Sequence, residues 1–114
     1  MPKQKLSSKT LPTAVALAIQ SFGRNIARAR KRRRLKQDEL ALKAGISTMT
    51  MRSVEHGAPT TAIGSYLACA WALGLLEELT NLLAPERDAE GEAFEARLSP
   101  KRVRGPTREL SDEF

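Results

Sequence analysis

Apolar residues along this chain recur at spacings of three and four and nowhere alternate, which predicts helices and no strand. From Thr13 to Leu35 there is no proline, strong helix formers dominate, and Thr13 stands where an N-cap is expected. Phe22, Ile26, Ala29 and Arg33 share one face of that helix, and Gly23 marks either a kink in it or a boundary between two helices. Residues 36–45 read as a short helix, with Asp38 and Glu39 near the start, where they suit the helix dipole, and Gly45 at the stop. Ser47 is a natural N-cap for the next short helix, Thr48–His56, which Gly57 ends. Thr60 or Thr61 caps a fourth helix that reaches Leu73 and breaks at Gly74. A fifth, Leu75–Leu83, stops before Pro85. The prediction is an all-α fold: a five-helix domain over 13–84 between a flexible basic tail at 1–12 and a flexible charged tail at 85–114.

Within 35–57 each position has a physical reason. Leu40 and Ala44 lie one turn apart and face the core, while Ala41 is small enough for two short helices to cross closely. Gly45 gives the turn its backbone freedom. Met51 and Val54 anchor the following helix inward, which leaves Thr48, Met49, Arg52, Ser53 and His56 on its outer stripe. Small polar groups, one methionine and one arginine suit base edges and phosphates better than they suit a solvated surface, where Glu and Lys would stand. A short helix, a glycine-containing turn and a second short helix make the unit that sets its second helix in the major groove of DNA. Thr48, Met49, Thr50 and Ser53 offer methyl contacts and single hydrogen bonds, and only Arg52 can grip guanine with two. Lys36 and His56 are placed to meet phosphates.

The fourth helix turns Ile63, Tyr66, Cys69, Ala70 and Leu73 toward the core, so Cys69 reads as a small buried hydrophobe. Trp71 lies roughly 160° from Leu73 on a helix of 3.6 residues per turn. It either anchors a protein–protein interface or folds under a tail. Fifteen of the twenty-two residues from Ala62 to Leu83 are apolar, more than one helix face against a small core can hide, which predicts a homodimer.

Charge sharpens this picture. Residues 1–36 carry eleven basic side chains and no acid, whereas 37–114 carry eight basic and thirteen acidic ones. Such asymmetry is the footprint of a polyanion binder, which by itself does not separate DNA from RNA or an anionic membrane. The Arg30–Arg34 run reads as phosphate-facing or as a solvated face. Aromatics make up only 4%, against a β-sandwich and against single-strand RNA recognition by stacking. The single cysteine allows no internal disulfide, and with one histidine it leaves little from which to build a zinc site. The apolar run Ala14–Ile19 is too short for a signal peptide, and 62–83 is too polar for a membrane helix, so a cytoplasmic chain without membrane attachment is expected. No nucleophile with a base, glycine-rich phosphate loop or metal cluster points to an enzyme or a cofactor.

The string Leu35-x-Gln37-x-x-Leu40-Ala41-x-x-Ala44-Gly45-Ile46-Ser47, followed by Met51-x-x-Val54-Glu55-x-Gly57, resembles the Xre/Cro/C1-type helix-turn-helix domain. The likeness covers about residues 22–83 and includes Ala70-x-Ala72-Leu73-Gly74-Leu75. It implies a five-helix, lambda-repressor-like fold in which Arg30 pairs with Glu55, Gln37 touches a phosphate, and Thr48, Met49 and Ser53 face bases. The partner it implies is double-stranded DNA carrying an inverted repeat. The segments Leu82–Asp88 and Phe94–Arg104 are similar to the tails of HipB-like antitoxins, which restrain HipA-type serine/threonine kinase toxins and repress their shared operon. That likeness implies an antitoxin and autorepressor, with Trp71, Phe94, Leu98 and Val103 as candidate partner contacts. The alternative is a stand-alone phage- or host-type repressor with no toxin.

Overall fold

A computed structural model describes residues 6–7 and 9–99. Among them are six α-helices, one 3-10 turn and no strand: α1 (Thr13–Arg32), α2 (Gln37–Ala44), α3 (Thr48–His56), α4 (Ile63–Ala72), α5 (Leu76–Thr80), the 3-10 turn Pro85–Arg87, and α6 (Ala89–Leu98). The chain divides into two compact units, 1–81 and 82–114.

In the first unit α3 packs against α1 and α2, and α4 packs against α2, α3 and α5. Ile26, Leu40, Ala41, Met51, Val54, Tyr66, Cys69 and Leu73 form the buried cluster, ringed by Ile19, Phe22, Ala29, Leu35, Ala44, Ile46, Ala72 and Leu75. The Phe22 and Tyr66 rings meet at 5.6 Å between centroids, and the Tyr66 hydroxyl donates to the Ala58 carbonyl at 2.8 Å. Cys69 is fully buried; burial, with a smaller push from the Glu55 charge, raises its thiol to about 11, so it stays protonated and fills space beside the Met51 sulfur.

Four helix ends share one pattern. The amide after each terminal residue in the left-handed region reaches five residues back: Leu35 to Arg30, Ile46 to Ala41, Ala58 to Ser53 and Leu75 to Ala70. Glycine holds the left-handed position at Gly45, Gly57 and Gly74, but α1 uses Arg34, at φ 56°. That is why α1 stops at Arg32, short of the expected Leu35: no glycine signals the end.

Other expectations are corrected by packing. Gly23 is no boundary between helices; α1 continues through it, and the end of α3 lies against it. A Cβ there would sit 2.8 Å from the Glu55 carbonyl oxygen and closer still to that of Val54, and one at Gly57 would sit 2.7 Å from the Ile19 carbonyl oxygen. Arg33 is exposed, with its guanidinium folded back to the Ala29 carbonyl, and it is Arg30 that goes inward. Pro12, not Thr13, precedes the first helical residue, and its carbonyl accepts from Val15 and Ala16. Ala62 caps α4 in place of either threonine, so Ile63 becomes the first residue of the helix and stands 73% exposed, off the core it was expected to join. Helix α5 covers only Leu76–Thr80.

The described parts of the two expected tails carry local structure. Ser7 accepts from the Thr10 and Leu11 amides in a turn ahead of α1. In the second unit, Asp88 accepts from the Gly91 amide at 3.0 Å and starts α6, with Glu90 and Glu92 in the favourable first turn and Arg97 in the last.

Candidate functional site

Helix α3 has both ends chemically marked. The Ser47 hydroxyl accepts from the Thr50 amide at 3.0 Å, and Gly57 closes the helix in the left-handed region at φ 70°. Met51 and Val54 are wholly buried, which fixes which side looks out. Met49, at 73% exposure, Arg52 and His56 form the open stripe, with Thr48, Thr50 and Ser53 half-buried along its edges. The Thr50 hydroxyl accepts from Ser47, so it is partly committed to the helix start. His56 Nδ1 lies 2.8 Å from the Arg52 carbonyl oxygen; donating there leaves Nε2 for another partner.

One carboxylate braces this helix. Glu55 takes a two-pronged contact from Arg30, Nε to Oε2 at 2.6 Å and Nη2 to Oε1 at 3.0 Å, and Gln37 Nε2 adds a bond to Oε1 at 2.8 Å. Arg30 also donates from Nη1 to the Leu35 carbonyl at 2.8 Å, so α1, α2, the turn between them and α3 meet at one point. Both charged side chains are at most 10% exposed. Burial pushes the Glu55 carboxyl up, but the hydrogen bonds from Arg30 and Gln37 and the charges of Arg30 and Lys31 outweigh it, and the group titrates below its ordinary value. The Gln37 amide is therefore tied to Glu55, and its carbonyl oxygen and backbone N–H are what remain for a ligand. Lys36 is exposed ahead of α2; its backbone N–H donates to Glu39 at 2.7 Å, and its ammonium is outside that contact.

A depression of about 550 Å³ opens where α1 passes Gln37, Glu55 and His56. Helix α1 lines it with Arg24, Arg28 and Lys31, all exposed. Lys31 belongs to the Arg30–Arg34 run, but Arg24 and Arg28 lie outside it and are marked in the sequence only by the spacing of four and three along one face.

Trp71 is 61% exposed on α4, where Ile63, Leu67 and Trp71 follow one another at four-residue steps. On α6, Phe94 and Leu98 are exposed one turn apart, with the Arg97 guanidinium 5.4 Å from the Phe94 ring centre. Val103 lies outside the described residues. Among the described residues no group of His, Cys, Asp or Glu is placed to hold a metal ion, and no helix is long and apolar enough to cross a membrane. No protein family, no curated protein and no solved structure matches the chain.

Proposed function

We propose that this protein is a sequence-specific DNA-binding transcriptional repressor that works as a homodimer, with α2 and α3 acting as a helix-turn-helix and α3 lying in the major groove. The observation that carries the reading is the bracing of α3. Its inner stripe is locked into the core, and its last turn is held by Arg30 and Gln37 through Glu55. A helix that reads base edges must be held rigidly while its outer side chains stay open, and Met49, Arg52, Ser53 and His56 meet that description. Arg52 supplies the bidentate contact, worth about 1–3 kcal/mol of discrimination, and Met49 the apolar contact to a thymine methyl. Lys36 and His56 take phosphates; if about six phosphates are neutralised per dimer, log K falls with log salt at a slope near −5.

The stripe of exposed Ile63 and Trp71 with half-buried Leu67 between them favours pairing through α4, which would hold two copies of α3 about 34 Å apart on an inverted repeat. The exposed Phe94–Leu98 pair on α6 favours a further protein partner, and a kinase toxin restrained by this chain is the partner we propose. Selection from random duplexes, followed by footprinting on the selected sequence, tests the central reading. Protection of two half-sites one turn apart is expected, and absence of any enriched sequence would reject it. Co-purification with the product of a neighbouring kinase gene tests the antitoxin role; the stand-alone alternative expects none.

A further inference from the structure

The α3 face holds few cations for a polyanion ligand, yet the adjoining surface of α1 is rich in them. Arg24, Arg28 and Lys31 sit at i, i+4 and i+7, stacked about 6 Å and then about 4.5 Å apart along the helix axis. Among the described residues none of the three forms a salt bridge: Arg24 donates to the neutral Ser21 hydroxyl at 3.1 Å, and Lys31 meets Glu55 only through its charge. The one carboxylate in the depression, Glu55, already has its charge met by Arg30 and Gln37. The depression is therefore a concave cationic surface with vacant donors. Its rim also includes His56, the last residue of α3 and a member of the outward stripe, and Gln37, the first residue of α2. It thus runs on from the face that meets the bases.

The geometry points to this depression as a second seat for the DNA backbone, in which Arg24, Arg28 and Lys31 grip successive phosphates of the strand bordering the groove that α3 enters. The assignment rests on the DNA-binding reading and adds three phosphate ligands per protomer to it. The row carries no sequence information itself: guanidinium and ammonium groups on phosphate oxygens set register and affinity. It also changes a measurable quantity. Twelve contacts per dimer in place of six steepen the salt slope from near −5 to about −11.

The test uses the full chain and a random-sequence duplex three helical turns long, with affinity and stoichiometry measured from about 50 to 200 mM salt. Two triple variants are compared with the wild type: R24Q/R28Q/K31Q in the row, and K9Q/R32Q/K43Q, which removes the same charge from exposed residues elsewhere. Thermal melting within a few degrees of wild type establishes that both are folded. The row variant is expected to show a slope shallower by about 2.7 per bound protomer, and the control a slope near that of wild type. If wild type binds and the row variant keeps its slope, the second seat is wrong while the repressor reading stands. Equal losses in both variants mean that net charge alone matters, and also overturn it. Polyglutamate bound as tightly as duplex through the same residues would make the row a seat for an acidic protein and overturn it. If wild type binds no duplex, seat and repressor reading fall together.

Discussion

Helices α3 and α4 lean on the same core and face outward with opposite chemistry. One buries Met51 and Val54, the other Tyr66, Cys69, Ala70 and Leu73. Outward, α3 presents Met49, Arg52, Ser53 and His56, whereas α4 presents Ile63, Leu67 and Trp71 and has no charged residue anywhere along its length. The core requires only the inward stripes, so the outward residues are free to suit a partner. A stripe rich in donors and acceptors suits a polar groove; an uncharged one with an exposed tryptophan suits another protein surface.

The comparison breaks most completely at Glu55. Replacing it with alanine strands the Arg30 guanidinium in a nearly dry site and is expected to cost about 3–5 kcal/mol, measured by urea denaturation. Acid should act in the same direction. Glu55 titrates below its ordinary 4.5, so its contribution is complete above that pH and is lost as the pH falls through the lower folded value. Stability should therefore drop as the pH falls below 4.5, and E55Q should lose that component of the drop. A G57A substitution comes next. It forces an ordinary residue to φ 70° and drives a methyl group into the α1 backbone, for an expected loss of about 3 kcal/mol in the same measurement.

R34G runs the other way. It relieves the left-handed arginine at the end of α1 and should stabilise the fold by about 1 kcal/mol. The smallest effects on folding sharpen the contrast itself. M49A and W71A should each leave stability within about 0.5 kcal/mol. Selection from random duplexes should show an altered base preference for M49A, with no change in salt slope. Sedimentation should show weakened self-association for W71A alone. The opposite pairing of effects would mean that the two faces have been assigned the wrong way round.

What was legible in the sequence follows the chemistry of helix ends. Helix α3 could be bounded residue for residue because Ser47 and Gly57 mark it with a hydroxyl and a glycine. The end of α1 could not, since an arginine does a glycine's work there, nor could the start of α4, where Ala62 has no capping group. Helix α6 was missed because its outward apolar residues are only Phe94 and Leu98, too sparse to make a stripe, although Asp88 and the acids after it carried the start signal. In the candidate site, the outward residues of α3 followed from Met51 and Val54 alone. The bond from Gln37 to Glu55 and the depression that the α1 cations line depend on how three helices converge, which no local pattern encodes.

The closeness of Gly23 and Gly57 has a consequence for change over time. Where α1 meets the last turn of α3, main chain rests on main chain, so the tilt of α3 depends little on which side chains it displays outward. Its open stripe is an exchangeable cartridge in a fixed mount: new lettering can be written at Met49, Arg52 and Ser53 without realigning the frame that holds it.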